Sequence, residues 1–263
     1  MNVPVTVDAG WLLLTALLAL RLSVILALLP LLSGRSVPVL WRLAVAVALA
    51  AAAAPAAAAA LPPGPLVLSW PLVAGEGLRS LLVGALLAFV VGIPLAAVRF
   101  AGAVIGIQVG FSMVNTIDPA GAGRISVLGN LYYLLGVLLL FALDAHHAVV
   151  RVLVASCRLV PPLAPWQPAG GAWWVLRDFG RFFGLGLQVA APVIAASLLV
   201  SVAMGFIVKT VPQFNILVAG FPVKIAVGLL ALGLSLTYYG QVMGHLLAQM
   251  GDDLGRLLAA LQA

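Results

Sequence analysis

The stretch Arg99–Arg124, RFAGAVIGIQVGFSMVNTIDPAGAGR, decides the architecture. Gly102, Gly106 and Gly110 recur at four-residue spacing, so they share one face of a helix. Small residues in that register let a second backbone approach closely, which is how helices associate where lipid removes the hydrophobic drive. Beyond Gly110 the pattern changes. Large apolar side chains (Phe111, Met113, Ile117) precede a turn signal, Asp118-Pro119, in which the proline disfavours helix at the residue before it. Gly121 and Gly123 then loosen the backbone. A membrane helix therefore ends in a loop that is bulky and apolar at its start, and the rest of the chain reads as the scaffold that holds it.

Composition supports a membrane scaffold. The 263 residues are 64% hydrophobic and 8% charged, with a mean hydropathy of +1.23, against about 25% charged residues in soluble domains. The single cysteine, Cys157, excludes an internal disulfide and offers no metal cluster. The net charge of +6 is spread over isolated Arg and Lys, so a nucleic-acid footprint is not expected and interfacial anchoring is. The N-terminal MNVPVTVDAGWLLL lacks a positive n-region and reads as the start of a retained helix.

Six apolar helical segments follow from the pattern: Trp11–Leu32, Leu40–Leu61, Leu78–Val109, Val127–Leu159, Trp173–Thr210 and Phe221 to about Ala260. The alanine run Ala50–Ala60, interrupted by Pro55, resembles a low-complexity spacer of high helix propensity that packs closely. Pro94 is a candidate kink. The third segment reaches about 48 Å if straight, well beyond a bilayer core of about 30 Å. Positive charges do not set an orientation. Arg35, Arg42, Arg99, Arg124, Lys209 and Lys224 on one side nearly balance Arg79, Arg158, Arg177, Arg181 and Arg256 on the other. Long tilted hairpins in a taller helical assembly account for both features.

Few ionisable side chains interrupt these segments. Arg21 sits in the middle of the first. It reads either as a pathway residue or as an arginine turned to a neighbouring subunit or to backbone carbonyls. Asp144, His147 and Arg151 fall on one helix face, a possible buried polar face. That face suits a proton relay, a buried ion pair or a solvated surface above the membrane. Gln241, His245, Gln249 and Asp252 form a stripe that suits a solvent- or subunit-facing surface. GxxxxGK[ST], GxSxG and HExxH are all absent, and no paired acids are present for acid–base work. No enzyme and no cofactor is expected, so energy for any transport comes from elsewhere.

Several runs carry a resemblance: Arg21 with PLLSGRSVP, then AGAVIGIQVGFSMVNTIDP, LLLFALDAHH, and APVIAASLLVSVAMGFIVKTVPQFNILVAGFPVK. On these the chain resembles the FliR/SctT family of type III secretion export-gate proteins. Ile107-Gln108-Val109-Gly110 is closer to the flagellar pattern than to the Asn-Gln-Arg-Gly element of the virulence relatives. DAHH departs from the more usual Gly-His, and Ala50–Ala60 matches poorly.

The resemblance implies a non-enzymatic, all-α pore subunit of the flagellar protein export apparatus at the inner membrane. Residues 1–263 would form one export-gate domain, with about 1–125 resembling a P-type subunit and about 126–263 a Q-type subunit. It would join P-type and Q-type subunits in a helical ring of hairpins, alongside the B-type and A-type export proteins, and pass unfolded protein substrates. The family's channel plug carries over to Gly110, Phe111, Ser112, Met113, Val114, Asn115, Thr116, Ile117, Asp118, Pro119, Gly121 and Gly123. Three alternatives stand beside this: the equivalent T-type subunit of a virulence system, a small-solute or ion transporter, and a purely structural membrane scaffold. A transporter would need midplane ionisable groups and a bundle repeat.

Overall fold

The computed structural model describes residues 9–29, 37–59, 69–111, 126–163, 168–211 and 216–262, without the side chains of residues 9, 168–169 and 216–219. Among them every regular element is a helix: α1 Ala9–Leu28, α2 Val39–Ala58, α3 Trp70–Val109, α4 Val127–Ala142, α5 Ala145–Leu159, α6 Pro168–Thr210 and α7 Ile216–Gln262. α1, α2, α3, α6 and α7 are each long and apolar enough to cross a membrane. α4 and α5, bent by 74° where they meet, make a sixth candidate span if counted together.

Three helices start earlier than their apolar pattern implies, and each has a proline near its start. Pro71 lies in the first turn of α3, where its missing N–H costs nothing, and the Val73 N–H donates to the Ser69 carbonyl. Pro168 is the first residue of α6. Pro222 lies inside α7, near its beginning.

The fourth expected segment is corrected more deeply. Val127–Leu159 is two helices, because Asp144 adopts a left-handed backbone (φ 54°). Aspartate is among the few residues that visit this region at small cost. No proline or glycine marks the break, so hydropathy runs through it.

The chain divides into two compact units. The first comprises residues 1–93, 144–178 and 248–263; the second comprises residues 94–143 and 179–247. In the first unit α1 buries Leu14, Leu17, Leu18, Leu22, Ile25 and Leu26 as one stripe. α2 packs on α1 and on α5. Its buried face is Ala46, Ala50, Ala53, Ala54 and Ala57, so the alanine run is a close-packing surface rather than a spacer. Pro55 faces outward.

The second unit is built around the C-terminal half of α3. Leu95, Ala97, Val98, Ala101, Ile105 and Val109 are all at most 1% exposed. Three other helices approach this half through glycines. A Cβ on Gly129 of α4 would lie 3.1 Å from the Arg99 carbonyl oxygen. One on Gly186 of α6 would lie 3.1 Å from the Ala97 oxygen, and one on Gly228 of α7 would lie 2.5 Å from Val109 Cγ2. Phe100 also packs against Phe182 and Phe183, with both centroid distances 5.5 Å. Tyr239 of α7 donates to the Tyr132 carbonyl at 2.8 Å, and the two rings meet edge to face.

Candidate functional site

The end of α3 and the start of α4 form the mount of the loop. Gly102 touches backbone: an added Cβ would run into the Leu128 carbonyl oxygen and come within 2.8 Å of Gly129 Cα. At Gly106 the nearest neighbour is softer, the Ser126 hydroxyl at 3.3 Å. The close helix approach read from the glycine spacing is thus made within this chain. Gly110 has a different part. It follows the last helical residue with φ +101°, and its N–H donates to the Ile107 carbonyl at 3.2 Å. A left-handed residue at this position is a common way to stop a helix, and glycine adopts it without strain. An added Cβ there would lie 3.3 Å from Phe221 Cδ1 of α7.

The chain re-enters helix at Ser126, whose Oγ accepts from the Gly129 N–H at 3.0 Å as the N-cap of α4. Ser126 lies beside Gly106, one helical turn before Gly110. The loop therefore leaves and returns at neighbouring points of a closely packed helix pair. Gly110 and Phe111 are described, and Phe111 is half-buried. The remaining plug residues of the sequence reading, Ser112 to Gly123, lie outside the described residues.

A second polar arrangement, in the first unit, was not legible in the sequence. Arg21 is fully buried and donates through one terminal nitrogen to the carbonyls of Ser156 (3.0 Å) and Val160 (2.6 Å). Of the two readings of Arg21, the carbonyl reading is the observed one. The cation sits at the C-terminal end of α5, where the helix dipole favours it. Arg79 of α3 donates to the Pro161 carbonyl at 3.2 Å and pairs with Glu76 at 3.3 Å. Glu76 in turn accepts from the Leu163 N–H at 3.0 Å. Gln262 of α7 donates to the Leu159 carbonyl at 2.7 Å.

The turn after α5 is thus clamped by α1, α3 and α7, and Leu163 is held left-handed (φ 68°) at its end. Replacing Arg21 with Leu leaves the buried Val160 carbonyl without this donor, at a cost of about 1–3 kcal/mol. Arg21→Leu is therefore expected to melt several degrees below the parent in detergent, with Arg151→Leu, an exposed position, unchanged. Equal melting of Arg21→Leu and the parent would show that the clamp contributes no stability.

The polar face read on the fourth segment lies at the start of α5. Asp144 and His147 form an i,i+3 pair, Oδ1 to Nδ1 3.5 Å, but their side chains are 73% and 64% exposed, and Arg151 is exposed too. The face is exposed within this chain. The bend also gathers Asp144, His146 and His147, whose ligand-type atoms lie within 4.8 Å of one another. They occupy the positive end of α5, which disfavours a bound cation. Gln241, His245, Gln249 and Asp252 are all exposed, as their stripe implied.

Residues 12–250 match the family model described as bacterial export proteins, family 1. The chain belongs to this family. It is 28% identical over 246 residues to the flagellar biosynthetic protein FliR of Bacillus subtilis (strain 168), covering 92% of this chain and 93% of the relative. It is 31% identical over 193 residues to the protein of the same name from Pectobacterium carotovorum subsp. carotovorum, covering 73% of this chain and 74% of the relative. The Yop proteins translocation protein T of Yersinia pestis is 28% identical over 170 residues, 64% of each chain. The match to the export proteins includes both loop anchors and the clamp residues Arg21, Glu76 and Arg79; only Gln262 falls outside it. With its apolar helices, this family member is a multi-pass protein of the bacterial inner membrane.

Proposed function

We propose that the chain is a non-enzymatic pore and gate subunit of a type III protein export apparatus, with the loop after Gly110 as its channel plug. The observation that carries this reading is the mount. A closely packed helix pair is locked by backbone-to-backbone contact at Gly102, and it releases and recaptures the loop at adjacent points, Gly110 and Ser126. A rigid base under a loop that begins Phe111-Ser-Met-Val-Asn-Thr-Ile suits a gate that excludes water with apolar side chains and moves aside for a passing chain.

The flagellar system is favoured by the Ile107-Gln108-Val109-Gly110 run and by a flagellar relative, the Bacillus subtilis protein, that matches about nine-tenths of the chain. The virulence T-type role is the alternative. In this reading the chain joins P-type and Q-type subunits in a hetero-oligomeric ring, next to the B-type and A-type export proteins. Its portion to about residue 125 stands in for a P-type subunit and the remainder for a Q-type one. Many large apolar side chains are exposed along α6, Leu198, Leu199, Val202 and Phe206 among them, and these supply surface for lipid and for such neighbours.

The test is contact with cargo. A photo-crosslinking residue at Phe111, in cells exporting a substrate fused to a domain that stalls in transit, is expected to link to the substrate. The same residue at the exposed Arg151 is expected not to. Crosslinks at Arg151 and none at Phe111 would remove the channel role from this loop.

A further inference from the structure

The start of α6 carries a cleft of about 590 Å³ lined by Gly170, Trp173, Trp174, Leu176 and Arg177. Its base is tightly built. An added Cβ on Gly170 would collide with the Ala260 carbonyl oxygen at the end of α7, and one on Gly171 would lie 2.7 Å from Leu261 Cδ2 and 3.3 Å from Leu86 Cδ1 of α3. Trp174 is only 8% exposed, and its indole N–H has no acceptor among the described residues. Trp173, by contrast, is 75% exposed. Arg177 is exposed and has no ion-pair or hydrogen-bond partner among the described residues. Asp178, the acid next to it in sequence, is buried.

We propose that this cleft binds one anionic phospholipid, with the phosphodiester at Arg177 and an acyl chain along Trp173 and Leu176. Three features converge on that ligand. The cleft opens the candidate span Gly170–Thr210, and an exposed tryptophan, Trp173, at the end of a span suits the level of lipid headgroups. The lining is otherwise apolar and suits a hydrocarbon chain, while Arg177 supplies the forked donors that match a phosphate. The charged group in the lining is a cation, because Arg177, well inside α6 and beyond the reach of the helix dipole, carries the charge itself. A headgroup that carries its own cation is therefore a poorer fit than phosphatidylglycerol. A glycerol-ester oxygen that reached the buried Trp174 N–H would give that donor an acceptor. The proposal is independent of the plug reading: it holds for a scaffold or for a gate.

The test uses the full chain with its co-expressed partner subunits, extracted in mild detergent and offered dioleoyl phosphatidylglycerol or dioleoyl phosphatidylcholine. Native mass spectrometry reads the lipid retained per chain. The expected result is one phosphatidylglycerol held at least fivefold more tightly than phosphatidylcholine. Arg177→Gln is expected to remove that preference at unchanged melting temperature, and Trp174→Phe to weaken retention about threefold. Equal retention of the two lipids, or no effect of Arg177→Gln, overturns the proposal. So does displacement of the lipid by millimolar inorganic phosphate, which would make the cleft a plain anion site. A photo-crosslinker at Trp173 gives the remaining check. Linkage to lipid supports the assignment, and linkage to a neighbouring subunit's helix overturns it.

Discussion

Gly102→Leu is expected to abolish recovery of folded protein, and even Gly102→Ala is expected to melt well below the parent. The reason is the partner atom. A methyl at Gly102 meets the Leu128 carbonyl and lies 2.8 Å from Gly129 Cα, and backbone cannot rotate away as a side chain does. α3 and α4 must separate, and overpacking of this kind costs about 1–3 kcal/mol for a methyl. Gly106→Ala meets the Ser126 hydroxyl at 3.3 Å, which need shift only a few tenths of an ångström and can keep its bond to the Gly129 N–H, so its cost is expected below that of Gly102→Ala. Thermal unfolding of the monodisperse protein in detergent gives the ranking. A Gly102→Ala variant as stable as the parent, or less harmed than Gly106→Ala, would contradict the close approach.

That ranking also shows how far the sequence reaches. Spacing alone placed Gly102, Gly106 and Gly110 on one face and attached a close helix contact to them. It could not separate a glycine against a carbonyl from one against a hydroxyl, nor from one that ends the helix with φ +101°. The partner surface was equally hidden, because it lies on α4, beyond the loop. Long apolar runs gave the helices, since hydropathy is insensitive to their neighbours. The starts at Trp70, Pro168 and Ile216 were missed because a proline near a helix start looks, in sequence, like one that breaks a helix.

The bend at Asp144 was missed for the opposite reason: an aspartate that can turn left-handed leaves a far weaker sequence mark than a proline or glycine. The clamp needed the fold. Arg21, the Glu76/Arg79 pair and Gln262 are far apart in sequence, and what unites them is the turn they hold, Ser156 to Leu163. Arg21 stood out as a charge within an apolar segment, which flagged a buried partner without naming it.

The central claim is that the loop between Gly110 and Ser126 closes a channel, and deletion of Ser112–Gly121 tests it most directly. The deletion spares Gly110, Phe111 and Ser126, so the mount of buried α3 and capped α4 stays intact. Assembly is therefore expected to survive, at least in part, while the apolar obstruction is gone. Water and small ions cross an unobstructed pore and do not cross one closed by packed apolar side chains. The measurement is membrane potential and dye uptake in cells whose assembled gate has been verified by co-purification with the P-type and Q-type subunits. The account predicts a collapsed potential and dye entry in cells carrying the deletion, with neither in cells carrying the intact loop. Assembled complexes with unchanged permeability would contradict it and leave the loop as packing between helices.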